Sequence, residues 1–145
     1  MTKTRVPALG AEGWFTEDGG PALLGNRCTT CGTAFFPKAT YTCANPSCSG
    51  MEFDEARLSA TGTVWSATDA RYQPPPPYVP TTEPYEPFAI AAVELDGDGL
   101  VVLGQAVAGT SVDDLHVGQR VDLVIDTLFE DDEHEYTIWK WRVSP

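Results

Sequence analysis

The chain has 145 residues and a formal net charge of −12, and its 42% apolar and 21% charged residues are typical of a globular protein. No run of about 18 apolar residues occurs, which excludes a membrane-spanning helix, and the beginning has no secretory signal, so we expect a cytoplasmic protein. Residues 81–145 hold three basic and 14 acidic side chains, and so acidic a half repels nucleic acid.

The first segment, residues 1–27, is expected to be a short helical lead-in to the rest of the chain. Trp14 and Phe15 stand there among glycines and acidic residues, and the helical periodicity is weak. The triplet Gly19-Gly20-Pro21 must interrupt any helix, so the lead-in is expected to consist of one or two short helices.

The second segment, residues 28–57, contains all four cysteines of the chain. They follow the spacing C-x2-C-x11-C-x4-C and are Cys28, Cys31, Cys43 and Cys48. Thiols of an intracellular chain stay reduced, and two close pairs on separate turns suit tetrahedral coordination, so the spacing predicts a ribbon that holds one structural zinc ion. Gly32 can take the positive φ that a turn beneath the metal requires. Four thiolates leave no open position for water, and no cysteine remains as a nucleophile.

The third segment, residues 58–145, has the period-two alternation and β-branched content of strands. The predicted strands are Thr61–Tyr72, Phe88–Leu95, Leu100–Ala108, Arg120–Phe129 and Glu135–Val143. Five strands with few helical signals predict a small closed barrel of the OB type, with a sandwich fragment as the alternative. The expected fold is therefore mainly β: a helical lead-in, a rubredoxin-like zinc ribbon and a five-stranded OB-fold barrel.

Between the first two predicted strands, residues 73–87 contain seven of the chain's 12 prolines. Such a segment is stiff and extended, and it presents Tyr78 and Tyr85 on a rigid backbone. Two interpretations stay open, a docking arm that lies along a partner and an ordinary rigid surface loop.

The two histidines are the simplest candidates for acid–base chemistry at neutral pH. His116 lies in a turn before a strand, and His134 lies in an acidic loop. An exposed loop histidine is the simpler interpretation of both. We therefore assign no catalytic residue and do not expect the chain to be catalytic alone.

Motifs in both halves resemble one known family. The ribbon motif is Leu24–Gly32 followed by Phe35–Lys38, and the barrel motif is Pro87–Leu95 followed by Leu115–Val121. In this order they resemble the thiolase-associated zinc-ribbon/OB-fold proteins, long classed as a domain of unknown function. The second cysteine pair departs from many members, because it encloses four residues instead of two.

The resemblance implies an accessory role. Members assemble with thiolase-fold proteins that make or break carbon–carbon bonds in acyl-CoA substrates, including thiolases, acyltransferases and the aldolases that cleave steroid side-chain CoA esters. It implies for this chain a noncatalytic subunit of an aldolase or thiolase complex in lipid or steroid metabolism, with two copies of each chain. The alternatives are a stand-alone module that binds acyl-CoA or single-stranded nucleic acid and, with little support, an enzyme in its own right.

Contacts with a CoA ester are expected only in the near-neutral first half, because CoA carries several phosphate charges. The candidates are Arg27, Lys38, Arg57 and Arg71.

Docking to the partner is expected at aromatic side chains that have few apolar neighbours in sequence, since exposed aromatic patches mark interfaces. The candidates are Trp14, Phe15, Tyr78 and Tyr85.

Overall fold

The computed structural model describes residues 3–8, 10–80 and 82–145, and strands dominate these ranges. The strands are β1 (Thr4–Pro7), β2 (Phe15–Thr16), β3 (Ala22–Cys28), β4 (Ala34–Phe35), β5 (Phe53–Arg57), β6 (Thr61–Asp69), β7 (Ala89–Leu95), β8 (Val101–Ala106), β9 (Arg120–Glu130) and β10 (His134–Val143). A 3-10 turn at Val112–Asp114 is the one helical element of the described ranges, and nothing in them is a helix long and apolar enough to cross a membrane.

The prediction of a helical lead-in over residues 1–27 is wrong. β1 instead pairs in parallel with β10, and β2 pairs antiparallel with β3. Gly10, Gly13, Gly19 and Gly20 all have positive φ, a backbone conformation that breaks a right-handed helix into turns. Residues 1, 2 and 9 of the lead-in, and residue 81 of the proline-rich segment, lie outside the described residues.

Strands β6 to β10 close into a five-stranded barrel, as the alternation predicts. Their order is β6-β7-β8-β10-β9, and β9 pairs again with β6. The β8–β10 pair is parallel, with Gln105 opposite Lys140, and the other four pairs of the ring are antiparallel. Closure removes the free edges that an open sandwich sheet would expose.

The barrel encloses the main hydrophobic core. Its inward positions alternate along each strand, and the most deeply buried include Val64, Val93, Val121 and Trp141. Gly104 leaves room for the Trp141 indole, because a Cβ atom at this glycine would lie 2.8 Å from Trp141 Nε1. This large indole therefore fills the barrel only because a neighbouring strand carries no side chain there.

The ribbon sheet packs against the barrel through an aromatic cluster. Strand β3 pairs with β2, β4 and β5. Trp139 of β10 stacks on Trp14, with ring centroids 6.0 Å apart, and meets the edges of Phe36 and Phe15 at 5.5 and 6.2 Å. These contacts bury apolar surface from both parts of the chain and so fix the ribbon on the barrel.

A buried carboxylate adds a polar connection between the same two parts. Asp98, in the turn between β7 and β8, accepts a hydrogen bond from Arg27 Nη2 at 2.7 Å and another from the Ser59 backbone N–H at 2.7 Å. Charge-assisted bonds of this length are among the stronger polar contacts in proteins. The orientation of the ribbon is therefore set by both apolar and ionic contacts.

Candidate metal centre

The four cysteines meet at one point on two turns of the ribbon. Cys28 ends β3, and Cys31 follows in a turn where Gly32 has a φ of +77°. All four Sγ atoms lie within 4.8 Å of one another. Between the turns, the Cys28–Cys48 and Cys31–Cys43 sulfurs are 3.8 and 3.6 Å apart.

These distances suit a tetrahedral zinc site. Thiolates at about 2.3 Å from zinc, arranged as a tetrahedron, lie about 3.8 Å from each other. The four thiols are free and form no disulfide. The donor set of four sulfurs and its spacing therefore fit a zinc ion, and with four thiolate ligands such an ion has a structural role.

Hydrogen-bond donors surround the sulfur atoms. Gly50 N–H donates to Cys48 Sγ at 3.3 Å, and Asn45 Nδ2 donates to Cys31 Sγ at 3.7 Å. The side chain and the backbone N–H of Thr33 lower the pKa of the Cys31 thiol from its usual 9.0 to about 6. Burial raises the pKa of the Cys43 thiol to about 12, so a metal ion must displace a proton there.

Gly50 is a requirement of the site that the cysteine spacing does not reveal. A Cβ atom here would lie 2.8 Å from Cys28 Sγ and 3.0 Å from Thr30 Oγ1. Its position two residues after Cys48 is the only sequence signal, and a glycine after a turn has many ordinary explanations. Only the folded structure shows that a larger residue would press on a ligand.

The segment between the two turns is held by a buried asparagine. Asn26 of β3 donates from Nδ2 to the Ala39 carbonyl at 2.9 Å and accepts from the Ala39 N–H at 3.0 Å. This pair of bonds mimics strand pairing and satisfies both polar groups of the buried amide. The second cysteine turn thus approaches the first from a fixed direction.

The four basic candidates for CoA contact are not brought together, and each already has a partner in the chain. Arg27 pairs with Asp98, and Lys38 pairs with Glu55 at 2.6 Å. Arg57 donates to two backbone carbonyls. The Arg71 side chain is 80% exposed and touches Asp69 through Nε. Arg71 is therefore the candidate with the most accessible guanidinium group.

The aromatic candidates for docking make more contacts within the chain than their neighbours in sequence predict. Phe15 is 8% exposed and belongs to the core, so its expected role as an exposed docking residue needs correction. Trp14 keeps an exposed edge above Trp139. Tyr78 stacks on Phe88 at 5.9 Å between ring centroids. The apolar partners are distant in sequence and become neighbours only through folding.

The proline-rich segment folds back on the barrel instead of extending from it. Tyr85 Oη donates to the Ala70 carbonyl at 2.7 Å. Together with β8, β9 and β10 the segment encloses a cavity of about 370 Å³. Lys140 lies at this cavity, where its Nζ donates to Asp126 at 3.3 Å and to the Thr127 carbonyl at 3.1 Å.

The two histidines lie apart from the sulfur cluster and from each other. His116 is exposed in the turn before β9. His134 begins β10, and its Nδ1 is 3.7 Å from Asp131. Neither contacts a cysteine among the hydrogen bonds and ion pairs of the described residues.

Comparisons with known proteins agree with this two-part architecture. Residues 21–54 match the family model described as the ChsH2 rubredoxin-like zinc ribbon domain, and residues 55–126 match the ChsH2 C-terminal OB-fold domain. A DUF35 domain-containing scaffold protein of Methanocaldococcus jannaschii is 29% identical over 124 residues, which are 85% of this chain and 81% of that protein.

A solved structure is similar over the same extent. The structure titled Ltp2-ChsH2(DUF35) aldolase contains a chain with 28% sequence identity and a TM-score of 0.62, covering 84% of each chain. The two family models adjoin one another and together span about three quarters of the sequence. With its zinc ribbon followed by an OB-fold barrel, the chain belongs to the ChsH2/DUF35 family of zinc-ribbon and OB-fold proteins.

Proposed function

We propose that this chain is a noncatalytic accessory subunit of an aldolase complex. The observation that carries the proposal is the four-sulfur ribbon followed by a closed barrel, because this is the architecture that the chain shares with the ChsH2/DUF35 family. The sulfur cluster uses all four cysteines of the chain, so a thiol nucleophile, which a thiolase or acyltransferase would need, would have to come from the partner. The similarity to a scaffold protein and to a chain of an aldolase supports the same role.

We also infer which partner this subunit binds and which reaction the complex performs. The partner is a thiolase-fold protein, assembled as two copies of each chain, and its substrate is an acyl-CoA ester of the steroid side-chain type. In a retro-aldol cleavage a base takes the hydroxyl proton, the adjacent carbon–carbon bond breaks, and its electron pair passes to the carbon beside the thioester. A proton from solvent or an acid then completes the acyl-CoA product. The groups that move these protons belong to the partner.

The charges of this chain weigh against the alternative of a nucleic-acid-binding module. Eight of its nine lysines and arginines pair with its own carboxylates, and the ninth, Arg57, donates to carbonyls. Neutralising a phosphate backbone requires several basic groups along one groove. A stand-alone function of that kind would have to break existing ion pairs first.

Co-expression of this chain with a thiolase-fold aldolase subunit from the same organism tests the proposal. We expect one complex on size exclusion with light scattering, with a mass equal to two copies of each chain. Cleavage of a β-hydroxyacyl-CoA should require both chains. Separate elution, together with turnover by the partner that is unaffected by this chain, would contradict the accessory role.

A salt titration separates the proposed complex from the nucleic-acid alternative. Docking on apolar surface should persist between 50 and 200 mM salt, whereas phosphate contacts weaken steeply over about this range. Single-stranded oligonucleotide is the competing probe. Oligonucleotide binding that is tight at low salt and lost at high salt would favour the alternative.

A further inference from the structure

Several of the exposed large apolar side chains lie close together on the outside of the barrel. We name them the outer band, and they are Trp65, Val101, Leu103 and Val117. Trp65 and Leu103 are 61% and 63% exposed, although both belong to well-paired strands. Their positions use none of the barrel's interior and none of the metal site.

Strand register shows that the outer band is continuous. Leu103 of β8 lies opposite Ala92 of β7, and Ala92 lies opposite Ser66 of β6, directly after Trp65. On the other side of β6, Gly118 N–H donates to the Val64 carbonyl at 2.8 Å, which brings the turn holding Val117 beside Trp65. Neighbouring strands lie about 4.8 Å apart, so the band crosses them side by side.

An irregularity in β6 keeps two consecutive residues on the outer face. The register with β7 shifts between Val64 and Ser66, which leaves Trp65 as the extra residue of a bulge. Val64 is buried in the core, while Trp65 and Ser66 are both exposed. Regular alternation after Val64 already places Trp65 outside, and the bulge keeps Ser66 on the same face before Ala67 returns to the core side. Tryptophan is one of the residue types enriched among the anchors of protein interfaces.

The charges on this chain indicate which kind of surface can cover the outer band. Glu94 is the only charged residue of β7 and β8, it lies opposite Val101, and it forms no ion pair within the described ranges. A second copy of this chain would bring another net charge of −12 to the contact and be repelled. The complementary surface is therefore apolar at its centre and carries a lysine or arginine opposite Glu94.

We propose that the outer band is the docking face for the catalytic subunit. An apolar patch of that subunit covers Trp65 and Leu103, and a basic side chain of it pairs with Glu94. The proposal rests on the proposed function, since it takes the catalytic subunit as the occupant. It places the main contact on the barrel wall, away from the proline-rich segment and from the cysteine turns.

The test measures binding of full-length variants to the same purified thiolase-fold aldolase subunit, by calorimetry. Trp65→Ala and Leu103→Asp should each weaken binding about 30-fold or more, as interface anchors do. Glu94→Lys should weaken binding about tenfold and reduce its dependence on salt. Met51→Asp is the matched control, because Met51 is 70% exposed on the ribbon, and its affinity should stay within about threefold of wild type.

The outcomes distinguish failure of the docking face from failure of the proposed function. Wild-type binding that Trp65→Ala, Leu103→Asp and Glu94→Lys all leave intact would overturn the docking face and keep the accessory role. An equal loss in Met51→Asp would overturn it too, since added negative charge anywhere would then suffice. Failure of the wild type to bind contradicts both proposals. Band variants that change only self-association of the isolated chain would identify a second copy as the occupant. Thermal unfolding of each variant shows that it is folded.

Discussion

Cys31 is the ligand whose replacement tests the metal centre at the residue scale. Its sulfur lies 3.6 Å from Cys43 Sγ and is hydrogen-bonded to Thr33 at 3.1 Å. We predict that Cys31→Ser loses bound zinc and destabilises the ribbon, because the binding energy of a structural metal is folding energy. Metal analysis and thermal unfolding measure this, and Ser49→Ala, an exposed neighbour of Cys48, is the control. Purified wild-type protein without zinc or iron would contradict the site.

A second prediction at the residue scale concerns the basic side chains that are candidates for contact with CoA. Arg71 has an accessible guanidinium group, and Lys38 is held by Glu55 at the ribbon surface. If these side chains meet the phosphates of CoA, replacing both with Glu should raise the KM of the assembled complex for acyl-CoA several-fold at low salt. Lys3→Glu, which also reverses a paired surface lysine, is the matched control. Equal KM values in both variants and the wild type would remove Arg71 and Lys38 from the proposal.

At the scale of elements, the barrel and the ribbon differ in what they need to fold. The barrel strands pair in a closed ring, whereas the ribbon strands β4 and β5 pair only with β3, which ends at the metal ligand Cys28. We predict that removing zinc with a chelator increases hydrogen exchange in β3 to β5, while β6 to β10 keep most of their protection. Simultaneous loss of protection in all ten strands would show that the barrel cannot fold without the metal.

The barrel strands were predictable because their signals are local. Alternation, β-branched residues and the Asp-Gly turn at 96–99 locate five strands to within three residues of their observed bounds. The cysteine spacing likewise predicts that four sulfurs meet, since each pair lies on one turn. These features depend on residues that are close together in the chain.

The lead-in and the outer band were not predictable, because they depend on distant partners. β1 becomes a strand by pairing with β10, about 130 residues away. Alternation after the buried Val64 predicts that Trp65 faces solvent, but the bulge that keeps Ser66 on the same outer face arises in the pairing with β7 and has no local signal. Phe15 is buried by Trp139, from the opposite end of the sequence. Non-local pairing of this kind leaves no mark in the local pattern.

At the scale of the whole molecule, the side chains are arranged as expected for a protein that binds a partner through its surface. Its thiols converge on one site that fits a zinc ion, its basic groups are paired within the chain, and four of its exposed large apolar side chains lie on one wall of the barrel. Such an arrangement suits a subunit that positions a partner. The central claim is therefore that catalysis belongs to the other chain of the complex.

The most direct test of that claim is the turnover of the assembled complex after the two histidines, His116 and His134, are both replaced with Ala. They are the side chains best suited to acid–base chemistry at neutral pH, and both lie at the surface or partly exposed. With assembly intact on size exclusion, cleavage of a β-hydroxyacyl-CoA should stay within a few-fold of wild type. A loss of about 100-fold, the low end of what one general acid or base contributes, would contradict the noncatalytic assignment.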